Sequence, residues 1–203
     1  MSSMIPRLGN RIAKAAFIQA KRFQSTYFEM FPKTFPDKKP TYSIEQNKLK
    51  KEYRALQAQF HPDMASTEGT STTENTQSST LNKAYHTLKD PLTRAQYMIK
   101  LLNGVDLTKD EVKDKIAQSD PELLMEILDI HEELSEMENE EDVRTIAKAN
   151  KDRIGNIEKK LETAFKEEDF DTAIKLTVEL RYWTNLAQAI KEWAPGKPIE
   201  VVH

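Results

Sequence analysis

The residues best placed to do chemistry are His61-Pro62-Asp63, an imidazole and a carboxylate either side of a proline. Proline fixes its own φ, offers no N–H and biases the residue before it away from helix. His61 and Asp63 are therefore held across a stiff bend and turned outward, a poor place to build a core and a good place to touch another molecule. Taken alone the tripeptide is a short match, and it is equally a helix stop followed by a turn.

Two further groupings stand out. Lys50 and Arg54 lie four residues apart, with Asn47, Lys51 and Gln57 close by, on the side of a helical pattern away from its apolar stripe. A charged helix face by itself signals only solvation. The other grouping spans residues 120–136. Leu123, Ile127, Ile130, Leu134 and Met137 make one stripe at helical spacing, enough for a bundle core. Leu124 and Leu128 define a second stripe about 100° away. Tyr182 likewise falls outside the main stripe of its own segment. A surplus stripe is either extra core or an interaction patch. Its rim favours the patch: between Lys115 and Arg144 there is no Lys or Arg but eleven acids, among them Asp129, Glu132, Glu133 and Glu136. Apolar anchors ringed by one sign of charge suit a partner with an apolar patch and a basic border.

Other chemistries find no footing. The 203 residues contain no cysteine, which excludes disulfides, thiol catalysis and thiolate metal sites. No His/Asp/Glu cluster has convincing metal spacing, and there is no glycine-rich phosphate loop. Neither a cofactor nor a catalytic residue is expected. A net charge of −3 gives no bulk attraction to nucleic acid. No apolar run reaches the length of a membrane span. Five glycines and 31% charged residues suit a helical, well-solvated chain.

The elements that must position these groups are helical throughout. Residues 1–25 carry Arg7, Arg11, Lys14, Lys21 and Arg22 with no acid, and Ile5, Leu8, Ile12 and Ala16 share a face. That is the composition of a mitochondrial targeting segment. A proline-punctuated stretch follows, then a helix after Ser43 whose stripe is Leu49, Tyr53, Leu56 and Phe60. A polar loop is expected over 65–79, then a second helix with Leu81, Ala84, Tyr85 and Leu88. The two stripes must bury each other as an antiparallel hairpin. Asp90-Pro91 starts a third helix ending at Asn103-Gly104. Residues 105–119 read as a linker, with a short helix from Thr108 to Ile116. Asp120-Pro121 then opens three long helices, about 120–137, 141–167 and 169–193, a small bundle whose second helix carries the stripe Val143, Ile146, Asn150, Ile154, Ile157, Leu161 and Phe165 and whose third carries Leu176, Leu180, Trp183, Ala187 and Ile190. His131 lies among acids that would raise its pKa.

The order basic helix, His-Pro-Asp, loop, then Asn82-x-Ala84-Tyr85-x-x-Leu88-x-Asp90-Pro91-x-x-Arg94-Ala95-x-Tyr97 resembles a J domain. With an acidic helical bundle directly C-terminal, the chain resembles HscB and its mitochondrial relatives of the Jac type. The resemblance spans residues 25–203 through Phe31-Pro32-Lys33-Thr34-Phe35-Pro36, Leu128-Asp129-Ile130-His131 and Trp193-Ala194-Pro195-Gly196-Lys197. It implies an all-α protein with a J domain over 26–104 and a scaffold-binding bundle over 120–203, working in the mitochondrial matrix. It implies no enzyme activity, but stimulation of ATP hydrolysis by a DnaK-type heat-shock chaperone. Lys50, Lys51 and Arg54 would dock on that chaperone, with His61 orienting, Pro62 rigid and Asp63 bonding a partner arginine. It further implies delivery of an iron–sulfur scaffold of the IscU/Isu type. Leu124, Leu128 and Tyr182 would anchor the scaffold, with Leu123 nearby and Asp129, Glu132, Glu133 and Glu136 as the charged rim. Glu126 departs from the yeast-type pattern, which has lysine there. A J protein with another client, or a helical adaptor unrelated to chaperones, are the alternatives.

Overall fold

In the computed structural model the described residues are 26–59, 71–109 and 120–195, with 71–76 described by backbone alone. They form six α-helices and, among the described residues, no strand: α1 (Gln46–Gln59), α2 (Ser71–Lys89), α3 (Pro91–Leu102), α4 (Pro121–Glu136), α5 (Glu140–Lys166) and α6 (Phe170–Glu192). The all-α class and the two helical modules are as the sequence implies. The chain divides into two compact units, 1–104 and 105–203.

In the first unit α1 and α2 pack as the expected hairpin. The contact is aromatic: Tyr53 stacks on Tyr85 with ring centroids 3.9 Å apart, and its hydroxyl donates to Asn82 Oδ1 at 2.8 Å. Helix α2 begins at Ser71, so 71–79, expected as loop, is helical. Once Leu81, Ala84, Tyr85 and Leu88 are anchored in the core, adding a turn upstream costs only propagation, which even Ser and Thr tolerate. Helix α1 starts at Gln46, three residues beyond the expected cap, with the Glu45 carbonyl accepting from the amides of Lys48 and Leu49.

Asp90 caps α3 as predicted, its carboxylate accepting from the Thr93 amide at 2.8 Å. Arg94, almost fully buried, donates to the Leu88 carbonyl at 2.6 Å and lies over the Tyr42 ring. It thereby satisfies a carbonyl that the end of α2 leaves open. Gly104, at φ 88°, closes α3 by donating its amide to Ile99 O.

The buried carboxylate of Glu52 was not anticipated. It sits on the inner face of α1 and accepts from the Lys33 amide (2.8 Å), the Thr34 amide (2.7 Å) and the Thr34 hydroxyl (2.6 Å). It moors the proline-rich segment, whose Phe28, Phe31 and Phe35 are buried, to the hairpin. The Tyr27 ring stacks on Tyr97, and its amide donates to the Tyr97 hydroxyl at 3.0 Å. Burial pushes the Tyr97 phenol up despite that bond. Glu52→Ala is expected to destabilise the first unit by about 2 kcal/mol, because donors to a charged acceptor lose their partner. Hydrogen exchange of the Lys33 and Thr34 amides should accelerate accordingly; unchanged protection would refute the mooring role.

In the second unit each helix opens on a capping side chain: Asp120 to Leu123 N, Asn139 to Asp142 N and Asp169 to Thr172 N. Bonding to Thr172 holds the Asp169 carboxyl below its ordinary range. Helix α6 is buried on most of its circumference, through Ala173, Leu176, Thr177, Val178, Leu180, Trp183, Leu186 and Ala189, because both α4 and α5 pack on it. The stripe expected for α6 is therefore too narrow: Ala187 and Ile190 are only half-buried, while Leu186 and Ala189 are buried. Asn150, on the predicted stripe of α5, is buried and donates to the Trp183 carbonyl at 3.0 Å.

Candidate functional site

Two surfaces are candidates. The first lies on α1. Leu49 and Glu52 are buried and Tyr53 and Leu56 half-buried, while Lys50, Lys51 and Arg54 are exposed. At about 100° per residue the basic trio centres opposite the buried side. Among the described residues none of the three enters an ion pair. His61, Pro62 and Asp63 lie outside the described residues, as do the targeting segment, Phe60 and the segment expected to be helical up to Ile116 beyond residue 109.

The second lies on α4. Its core strip is Ile127, His131 and Leu134. Leu123 and Ile130 are half-buried on one flank of that strip and Leu124 on the other. Past Leu124 come the two large apolar residues exposed among the described residues, Leu128 at 57% and Met125 at 64%. Leu124 and Leu128 thus form the expected surplus stripe. Leu123 does not adjoin it, since it lies about 140° from Leu128 around the helix. Met125 lies on neither of the stripes read from the sequence; it falls about 60° from Leu128.

Tyr182 is half-buried on α6. The Trp193 indole donates to the Leu134 carbonyl at 3.0 Å, tying the ends of α6 and α4. Counting back from that tie at 1.5 Å per residue, Leu124 and Tyr182 stand at nearly one level, about 15 and 16 Å along their helices.

The acid field is narrower than the sequence indicates. Glu126 pairs with Arg153 at 2.8 Å, and that guanidinium lies 4.7 Å from the Trp183 ring centroid. Glu140 pairs with Arg144, and Asp142 accepts from the Asn139 amide side chain. Asp129, Glu132, Glu133 and Glu136 are exposed and, among the described residues, in no ion pair. Glu132, Glu136 and Asp129 lie within about 100° of Leu128, whereas Glu133 lies about 140° away.

His131 corrects an expectation. It is buried, its Nδ1 has no partner among the described residues, and desolvation lowers its pKa from the ordinary 6.5. Burial outweighs the acids because they point to solvent from the opposite side of α4. With the folded pKa below the unfolded one, the unfolded chain binds the proton first as pH falls through about 6.5, so stability falls with it. His131→Gln should flatten the dependence of Tm on pH just below that value; an unaltered slope would refute burial as the cause.

No group of three or more His, Cys, Asp or Glu able to hold a metal occurs among the described residues. No described helix is long and apolar enough to cross a membrane.

A hairpin with an outward basic face is joined in sequence to a helical bundle with an exposed apolar patch, and comparison with known proteins places that pairing among the J-type co-chaperones. Residues 40–97 match the DnaJ domain, and residues 119–191 match the family described as the HSCB C-terminal oligomerisation domain. The chain is 54% identical over 187 residues to the mitochondrial J-type co-chaperone JAC1 of Saccharomyces cerevisiae, covering 92% of this chain and 98% of that one. It is 30% identical over 153 residues to the human iron-sulfur cluster co-chaperone protein HscB, covering 74% and 63%. A solved structure of the Saccharomyces cerevisiae Jac1 co-chaperone superposes with a TM-score of 0.76 at 55% identity, over 88% of this chain and 99% of that one. This chain belongs to the Jac1/HscB family of J-type co-chaperones of iron–sulfur cluster biogenesis, whose members are not themselves enzymes.

Proposed function

We propose that this protein joins two partners, a DnaK-type heat-shock chaperone and an iron–sulfur scaffold of the IscU/Isu type, in the mitochondrial matrix. Residues 1–25 direct it there, 26–104 form the J domain, 105–119 link, and 120–203 hold the scaffold. Lys50, Lys51 and Arg54 steer the J domain onto an acidic chaperone surface. His61-Pro62-Asp63 then engages the chaperone and triggers its ATP hydrolysis. A bend kept stiff by Pro62 loses little freedom on binding.

The scaffold sits on α4 and α6, with Leu124, Leu128 and Tyr182 as anchors and Asp129, Glu132 and Glu136 bordering them. The observation that carries this reading is the pair of exposed apolar side chains on α4 beside acids that, among the described residues, are in no ion pair. Acids favour a basic border on the partner and quicken encounter, while the apolar centre supplies affinity. Holding both partners on one chain raises the local concentration of scaffold at the chaperone.

The test is single-chaperone ATP turnover with this protein, with and without scaffold. Turnover should rise with the protein alone and rise further with scaffold present. No rise in either case would refute the reading.

A further inference from the structure

Resting on the chaperone-docking reading above and deepening it, we propose that Lys33 and Lys48 extend the docking face of α1 onto the proline-rich segment, with Glu52 as the residue that positions Lys33 there. An exposed lysine by itself signals only solvation. What sets these two apart is how α1 disposes of its one acid. The helix carries Lys48, Lys50, Lys51 and Arg54 against Glu52 alone. Around it the order is Lys50, Arg54, Lys51, Lys48 and then Glu52, in steps of about 40° to 60°. The four cations are exposed, whereas Glu52 is buried and its carboxylate accepts from the Lys33 amide, the Thr34 amide and the Thr34 hydroxyl. The outward arc of α1 therefore holds four positive charges and no negative one.

At the edge where Glu52 would cancel those charges stands the backbone of Lys33 instead. Its amide lies 2.8 Å from a Glu52 oxygen while its side chain is exposed, so the segment carries a fifth cation beside Lys48. Lys33 sits between the buried Phe31 and Phe35, and the Phe35 amide donates to the Phe31 carbonyl at 2.8 Å. A backbone so held needs little further ordering when a partner arrives. Neither Lys33 nor Lys48 enters an ion pair among the described residues. The opposite edge of the arc is closed by α2, to which Tyr53 and Gln57 bond through Asn82. The basic face thus grows in one direction only, and the partner that fits is an acidic chaperone surface broader than α1 itself.

The test is the concentration of full chain that half-maximally stimulates ATP turnover by a purified DnaK-type chaperone. Lys33→Ala with Lys48→Ala should raise it about fivefold, with turnover at saturation unchanged and the gap narrowing as salt rises. Both side chains are exposed and the bond to Glu52 uses the backbone, so the fold is retained. Lys33→Arg should keep the wild-type value, as should Lys159→Ala, a charge control exposed on α5. In a Glu52→Gln background Lys33→Ala should have less effect, because the lysine is no longer aimed; full additivity would overturn the positioning role of Glu52. If Lys50→Ala with Arg54→Ala raises the concentration but Lys33→Ala with Lys48→Ala does not, this inference fails and the docking reading stands. If neither pair matters, or the chain does not stimulate the chaperone, both fail. A Lys159→Ala effect equal to that of Lys33→Ala would reduce the result to net charge and overturn the inference.

Discussion

His61→Gln is expected to reduce chaperone stimulation to less than about a tenth of its wild-type increment, while scaffold affinity stays within error. Glutamine keeps bulk and a hydrogen-bonding end but not the imidazole, so the residue beside an unaltered Pro62 offers the chaperone the wrong group. A tenfold loss corresponds to about 1.4 kcal/mol of transition-state stabilisation forgone. The basic face of α1 is untouched, so the chaperone should still be recruited without being triggered. Lys50→Ala with Arg54→Ala should do the converse, raising the concentration needed for half-maximal stimulation with little change at saturation. Such an electrostatic contribution shrinks with salt, since the Debye length falls to about 8 Å at physiological ionic strength. Full stimulation by the His61 variant would remove the J-domain trigger from the reading.

Leu124→Ala, Leu128→Ala and Tyr182→Ala combined should weaken scaffold binding by about 100-fold or more and leave stimulation by the free protein intact. Anchors at an interface centre typically cost 1–2 kcal/mol or more each when truncated, and 100-fold is about 2.8 kcal/mol. None of the three belongs to the fully buried core, Leu128 being exposed and the others half-buried, so the bundle should stay folded. Circular dichroism would verify that. A pull-down that still recovers scaffold with the triple variant would dismiss the patch.

The helices were legible wherever their apolar stripes and caps were regular. Asp90 and Asp120, each before a proline, cap the helices they open. Leu49, Leu81, Leu88, Leu134, Leu161 and Leu180 are buried on the stripes that named them. Periodicity failed where a polar group lies inside. Glu52 falls on no apolar stripe, and only its three donors from 33 and 34 explain its burial. His131 occupies a core position, so burial rather than the neighbouring acids sets the direction of its pKa shift. The acid rim was overcounted because a sequence does not reveal ion pairs across helices: Arg153 is 27 residues from the Glu126 that it binds. Met125 was missed for a simpler reason, that a flanking residue one step off a traced stripe looks incidental until exposure is known.

Helix α4 commits only three of its sixteen residues to the buried core, against eight on α6. Substitutions over most of its surface therefore leave the bundle's cohesion alone. If α4 carries the docking face proposed above, cargo preference is free to drift, or to be rewritten in the laboratory, by changes confined to one rod. Its neighbour α6, buried on most of its circumference, has less such latitude and fixes the frame against which a retargeted α4 would be read.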